Sequence, residues 1–203
     1  PPPATRFQQL EEQLQILLGI WETPAGETFT FDGRHYAVHR VPGRPGSPPA
    51  GRPLIMIGGA GAKTTPRLAA RYADEYNVPV RTPDVTGAQF ERVRKACELQ
   101  GRDPGSIVFS AAQALCVGDS AAEFARRAGR LGRAPDELTL AGVAGTVDQV
   151  IDKIGAFAAL GATRLYLQCL DLSDLDQLHL VAERIMPVVA DGSPEYRKLR
   201  YIR

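Results

Sequence analysis

The sequence predicts an α/β fold with about four strand–helix units of a parallel sheet, which is half of a (β/α)8 barrel. Two features carry that expectation. Short continuous apolar runs, of which Leu54-Ile55-Met56-Ile57 is the clearest, suit strands covered on both faces. Between such runs lie amphipathic stretches of roughly ten to sixteen residues, long enough to cross from one parallel strand to the next. The chain has 203 residues, 44% of them hydrophobic and 23% charged, so it can bury a core and is ordinary in polarity.

The first element is a helix over residues 5–21, where Phe7, Leu10, Leu14, Leu17, Leu18 and Trp21 recur on one face. A small β-hairpin insertion follows, Thr28-Phe29-Thr30-Phe31 against Arg34-His35-Tyr36, with Asp32-Gly33 supplying the positive φ angles of a tight turn. Residues 41–53 hold five prolines and three glycines and read as an irregular excursion. The strand at 54–57 then ends in Gly58-Gly59-Ala60-Gly61, and a helix runs from about Thr65 to Asp74. Asn77 to Val80 is the second strand and Asp84 to Leu99 its helix. The third strand covers Ile107 to Val117, and its helix, Ser120 to Leu131, begins at a good N-cap. A loop with a short helical turn at 133–141 leads to Gly145-Thr146. Thr146 caps a helix from Val147 to Leu160, which Gly161 ends. Arg164 to Cys169 is the fourth strand and Asp174 to Val189 the last long helix. The organisation is one partial-barrel domain over residues 1–190 and a polar tail over 191–203.

Composition narrows the function classes. A net charge of +1 with no basic stripe argues against a nucleic-acid partner. No apolar run approaches the roughly 18 residues of a membrane helix. Cys97, Cys116 and Cys169 are odd in number and show no CxxC spacing, which argues against a disulfide framework and fits a reducing cytoplasm. His35, His39 and His179 are scattered without a carboxylate at ligand spacing, so a metal site is not expected. Lys63-Thr64 has the ending of a phosphate-binding P-loop, but Ile57 and Ala62 stand where that loop needs glycine. There is no Gly-x-Ser-x-Gly elbow for a serine hydrolase.

Barrel active sites lie at the C-terminal ends of the strands, and the candidates are sought there. Gly58, Gly59, Ala60 and Gly61 close an apolar strand and open a helix, with Thr64 and Thr65 following. Glycines let backbone approach a ligand, and a helix start offers free N–H groups to an anion. The dipole itself contributes about 0.3–1 kcal/mol, so the amides and hydroxyls would supply most of the grip. Asn77, and Gln168 with Asp171, are polar groups near strand ends, with Gln113 a further one. They suit hydrogen bonds to a ligand as well as bonds to neighbouring backbone.

Three stretches together resemble the luciferase-like monooxygenase superfamily, and within it the deazaflavin (coenzyme F-420)-dependent oxidoreductases. The first is Arg6-Phe7-Gln8-Gln9-Leu10-Glu11-Glu12 running to Trp21, then Phe31-Asp32-Gly33-Arg34-His35-Tyr36. The second is Pro53 to Gly61 with Arg67-Leu68-Ala69-Ala70-Arg71-Tyr72-Ala73-Asp74 and Asn77. The third is Ala144-Gly145-Thr146 with the helix to Leu160, Gly161-Ala162-Thr163-Arg164, Leu167-Gln168, Asp171 and Met186-Pro187. The resemblance implies the C-terminal half of a bacterial-luciferase-like barrel, with the first four strands and the catalytic groups lying N-terminal to Pro1-Pro2-Pro3. No catalytic residue is therefore expected in this chain. The implied activity is hydride transfer, or oxygen activation, on a small organic substrate. The implied cofactor is coenzyme F-420, with FMN as the alternative, resting against the turn at 58–61. Ala60 departs from a frequent third glycine and Thr64 from a frequent arginine, which puts a charged phosphate clamp in doubt. The alternative expectation is a half-barrel binding or assembly module without chemistry. A half barrel alone leaves strand edges and inner faces uncovered, so a homo-oligomer or union with the missing half is expected.

Overall fold

The computed structural model of the protein describes residues 1–44 and 51–190. The expected tail over 191–203, and residues 45–50 of the proline-rich excursion, lie outside the described residues. Contacts divide the chain into two compact units, Pro1–Ile55 and Met56–Arg203.

In the first unit, helix α1 (Pro3–Glu22) packs against an antiparallel pair, β1 (Thr28–Asp32) and β2 (Ala37–Pro42). Proline at the start of α1 costs nothing there, because the first N–H groups of a helix have no internal acceptor. The hairpin is present, but its turn is not the one expected. Residues Gly33 to Tyr36 form the connection, the second strand begins at Ala37, and Gly33 has no positive φ. The physical reason is Glu12. Its carboxylate accepts the backbone N–H groups of Arg34, His35 and Tyr36, each at 2.9 Å. A Cβ on Gly33 would meet Glu12 Oε2 at 2.4 Å, so the glycine is needed for close approach rather than for turn geometry. Partial burial pushes the Glu12 carboxyl up, but the three amides outweigh it and hold the group below its ordinary range. Gly19 lets the Phe29 ring lie against α1, since a Cβ there would fall 2.0 Å from the ring.

The second unit is a parallel sheet flanked by helices. Its elements are β3 (Met56–Gly58), α2 (Thr64–Tyr72), β4 (Glu75–Pro79), α3 (Pro83–Leu99), β5 (Val108–Gly118), α4 (Ala121–Arg130), α5 (Pro135–Ala141), β6 (Val143–Thr146), α6 (Val147–Ala159), β7 (Arg164–Cys169) and α7 (Leu175–Leu180). β3 pairs with β4, β4 with β5, and β5 with both β6 and β7, every pair parallel. Ala111 pairs with β4 on one edge and β7 on the other, while Leu115 pairs with β6 and β7. β4 and β6 therefore lie end to end along one edge of the long β5. The sequence reading has four strands here; β6 is a fifth, because Val143-Ala144-Gly145-Thr146 is too short to stand out and its Gly-Thr reads as a helix start.

Alternation along the strands separates two faces. Tyr76, Phe109 and Phe90 meet edge to face between sheet and α3, with ring centroids 5.0–6.4 Å apart, which marks the α3 face. α2 packs on α3 and α3 on α6. α4 is capped by Ser120 and amphipathic, and it buries Phe124 and Ala128 against Cys116, Leu138 and Ala144. Arg127, only 3% exposed, ties this helix to the far end of the chain: it donates to both Asp174 oxygens and to Val117 O. After α7 the backbone widens into a π-helical turn, Val181–Ile185, before α8 (Met186–Ala190). Pro187 lacks the N–H that a continuous α-helix would donate back to Glu183, which accounts for the interruption of the expected single helix.

Candidate functional site

The sheet face opposite α3 carries Met56 and Gly58 of β3, Glu75 and Asn77 of β4, Ser110, Ala112 and Ala114 of β5, and Arg164, Tyr166 and Gln168 of β7. Register places these in rows, and the rows differ chemically from one end of the strands to the other.

At the C-terminal end of β3 the chain leaves the sheet through Gly58-Gly59-Ala60-Gly61. Gly59 has φ +136°, a conformation that side chains other than glycine rarely adopt. The turn is held from behind at three points: Gly59 N–H donates to Asn77 O (3.1 Å), Tyr76 Oη donates to Gly59 O (2.7 Å), and Gln89 Nε2 of α3 donates to Ala60 O (3.2 Å). Its front is open, with Gly58 and Gly61 exposed and Gly59 and Ala60 half-buried. α2 then starts at Thr64, with Lys63 at the N-cap and no side-chain cap. Among the described residues no group accepts from the amides of residues 61–65. A helix start and glycine turn with that many unsatisfied donors, and no carboxylate from residue 58 to 65, have the donor set of an anion site.

The other candidates divide. Asn77 stands at the centre of β4, directly paired with Gly58, and its side chain donates to Ser110 Oγ at 2.9 Å. Thr64 is half-buried at the first helical position. Thr65 is 6% exposed, and its hydroxyl fills the space where a Cβ on Gly61 would stand. Gln168 is exposed on the same sheet face, but on β7, across β5 and four residues beyond the Asn77 row. Asp171 lies past that strand and pairs with Arg130 at 3.0 Å. Gln113 is on the opposite face: it is fully buried beside the helices, donates to Arg81 O, and leaves its Oε1 without a partner. The structure thus gathers Gly58 to Gly61, Thr64, Thr65 and Asn77 in one place and leaves Gln168 apart.

Sequence reasoning missed the groups that brace this region. Tyr76 and Gln89 are buried on elements read only as strand and helix, and no local pattern marks a residue whose bond is made 17 or 29 positions away. Burial pushes the Tyr76 phenol up to about 12, against a small opposing effect from Arg92. At the other end of the same face, Arg164 pairs with Glu75, and Tyr166 Oη donates to Glu75 Oε1 at 2.9 Å. The bond to Tyr166 and the Glu75 charge raise the Arg164 guanidinium above its ordinary value, against the effect of burial. No helix among the described residues is long and apolar enough to cross a membrane, and among them no group of three His, Cys, Asp or Glu residues could hold a metal ion.

With this geometry in place, likeness to known proteins can be weighed. The sequence profile of the luciferase-like monooxygenase family matches residues 2–142. Among solved structures, the fold is similar to an F-420-dependent secondary alcohol dehydrogenase in complex with an F-420-acetone adduct, with TM-score 0.76 and 14% identity over 93% of this chain. It is similar to EDTA monooxygenase from Chelativorans sp. BNC1, with TM-score 0.76 and 17% identity over 96% of this chain. It is similar as well to the oxygenating constituent of 3,6-diketocamphane monooxygenase from Pseudomonas putida in complex with FMN, with TM-score 0.63 and 19% identity over 87%. The chain spans 63%, 64% and 62% of those three chains. At such identities the likeness establishes the fold, a parallel α/β arrangement that is part of a luciferase-like barrel. No curated protein sequence matches the chain.

Proposed function

Because this chain belongs to the luciferase-like monooxygenase family, we propose that it supplies the cofactor-holding C-terminal side of a flavin- or deazaflavin-dependent oxidoreductase acting on a small organic substrate. The observation that carries the reading is the glycine turn Gly58–Gly61, braced behind by Tyr76, Gln89 and Asn77 and open in front, with the unsatisfied amides of residues 61–65 beside it. These donors fit the phosphate of either cofactor. Coenzyme F-420 is the preferred assignment, on the resemblance of the chain's motifs, and FMN is the alternative.

When bound, such a cofactor supplies the hydride or oxygen chemistry, and the protein supplies orientation. Here Gly58, Gly59, Ala60 and Gly61 would let the backbone approach the cofactor, and the amides near Thr64 and Thr65 would hold its anionic part. Asn77 is set by its bond to Ser110 and fixes the turn through its carbonyl. Gln168, exposed farther along the same face, would meet a more distant part of the cofactor or the substrate. No side chain of this chain is assigned to proton transfer.

The test is titration of the protein with F-420 and with FMN, followed by fluorescence, and repeated with Gly59→Val. Micromolar binding of one cofactor that Gly59→Val weakens at least tenfold supports the reading. Binding of neither, with the fold intact by circular dichroism, refutes it. The half-barrel module without chemistry is a second reading, favoured by the uncovered Met56, 49% exposed, on the inner sheet face. A stable complex with a complementary half barrel that binds neither cofactor would select it.

A further inference from the structure

Directly after β7 the chain carries an inverted polarity. In Leu170-Asp171-Leu172-Ser173-Asp174-Leu175-Asp176-Gln177, Asp174 and Gln177 are buried, at 8% and 4% exposure. Leu170 is 50% exposed, Leu172 83% and Leu175 59%. A folded chain ordinarily buries leucine and exposes aspartate, so the reversal needs a cause. The cause is side-chain bonding at the end of β5. β7 pairs with β5 no further than Leu115, and beyond that row two side chains stand in for it. Arg127 donates to Val117 O and Gln177 Oε1 accepts from Val117 N–H, both at 2.9 Å. Arg127 also holds Asp174, whose Oδ1 accepts the Gln177 N–H at 3.0 Å. Arg130 pairs with Asp171 at 3.0 Å, and Asp171 Oδ1 accepts the Ser173 N–H at 3.0 Å. With both aspartates committed to arginines, the leucines between them are left outside.

This strap lies at the C-terminal end of the strands, the end that carries the glycine turn. Gln168, the last residue before it on the face opposite α3, is exposed, and among the described residues its amide has no partner. The stronger polar groups of that face are already committed: Glu75 pairs with Arg164, and Asn77 donates to Ser110. What remains open at the end of β7 is one neutral amide next to exposed leucines. Resting on the cofactor reading above, we propose that Gln168, Leu170 and Leu172 determine substrate specificity and select an uncharged, largely apolar molecule with a single hydrogen-bonding group. An amide can donate to a carbonyl or accept from a hydroxyl, so a ketone or an alcohol suits Gln168 equally. A carboxylate substrate would lose its hydration and find no unpaired cation on this face. Apolar lining with a few placed polar groups is the usual composition of a small-molecule site, and barrels bind at this end of their strands.

The experiment uses the full chain labelled with ¹³C in its leucine methyl groups, titrated with 2-octanone and, separately, with octanoate. The expected result is saturable shifts of the Leu170 and Leu172 methyl resonances by the ketone, with octanoate at least tenfold weaker. Leu170→Ser/Leu172→Ser should weaken the ketone at least tenfold, and Gln168→Ala at least threefold, read by calorimetry. Both variants should bind F-420 or FMN as the wild type does, which shows that the fold is kept and separates this site from the glycine turn. Failure of both cofactors to bind would remove the reading of the turn, while the ketone titration would still decide the role of the leucines. Octanoate binding as tightly as 2-octanone would overturn the proposal. So would ketone binding that neither variant alters, the absence of ketone binding, or leucine shifts that follow protein concentration alone, which would assign the leucines to a contact with a second copy of the chain.

Discussion

Glu75 and Asn77 stand two residues apart on one strand and face the same way, yet they belong to opposite kinds of surface. At the N-terminal ends of the strands, Glu75 is 5% exposed and saturated by Arg164 and Tyr166. Both bonds to Glu75 link β4 to β7 across β5. At the C-terminal end, Asn77 spends its side chain on Ser110 and its carbonyl on Gly59, so that a glycine turn is fixed while the amides after it stay unpaired. One end is closed by charge, and the other is held open by backbone. A barrel gains its rigidity from the first kind of end and its binding capacity from the second.

The largest expected effect comes from breaking the closed end. Glu75→Ala would leave Arg164 facing a low-polarity interior with only the Tyr166 hydroxyl, while Arg164 Nε is already buried without a partner. Removal of one member of a buried ion pair costs roughly 3–5 kcal/mol, and the 22% exposure of the Arg164 side chain places this pair near the lower bound, about 3 kcal/mol. Glu75→Gln keeps one acceptor oxygen, which can face Arg164 while its NH2 donates to the Tyr166 hydroxyl, and should cost distinctly less. Urea denaturation midpoints measure both. A Glu75→Ala midpoint equal to wild type would show that the closed end does not stabilise the sheet.

At the open end, two glycines separate conformation from contact. Gly59→Ala places a Cβ at 3.5 Å from Thr65 Cγ2, an ordinary contact, so its cost is the φ of +136°, on the order of 1–3 kcal/mol. Gly61→Ala has no such φ, but its Cβ would fall 2.6 Å from Thr65 Oγ1, and Thr65 is buried. Gly61→Ala/Thr65→Ala should recover most of that loss, whereas Gly59→Ala/Thr65→Ala should recover little. Thermal melts of the four variants decide it, and equal rescue of both would show that one cause acts at both positions.

How much of this was legible beforehand follows the range of the interactions. The helices and the βα order come from local periodicity, and they stand nearly where the apolar spacing puts them. The glycine turn is local too. The hairpin turn was misplaced because Asp32-Gly33 has the composition of a tight turn, while the actual constraint is the Glu12 carboxylate, some 22 residues earlier. β6 was missed because its pairing with Leu115–Gly118 has no local signature in four residues. The closed end was invisible for the same reason: Glu75 and Arg164 are 89 positions apart, and neither sits in a motif. Local order reveals where backbone is unusual, and side-chain clusters built across the sheet need the register first.

The smallest effect at neutral pH is the most diagnostic of how the open end is held. Tyr76→Phe keeps the ring between Phe90 and Phe109 and removes only the hydroxyl that donates to Gly59 O. The loss should be about 1 kcal/mol, the usual net worth of one such bond. In alkali the comparison changes sign. The Tyr76 phenol has an ordinary value of 10 and is pushed up to about 12 by burial, so between those limits the unfolded chain ionises and the folded one does not. The unfolded state then binds fewer protons, and stability falls as pH rises through the window. Stability from this group is intact below pH 10 and lost progressively from 10 to 12. The phenylalanine variant lacks the ionising group, so its deficit should shrink and then reverse as pH climbs from 9 to 12. Parallel unfolding curves for the two proteins across that range would mean that Tyr76 is not buried against the turn, and the bracing of Gly59 from behind would have to be abandoned.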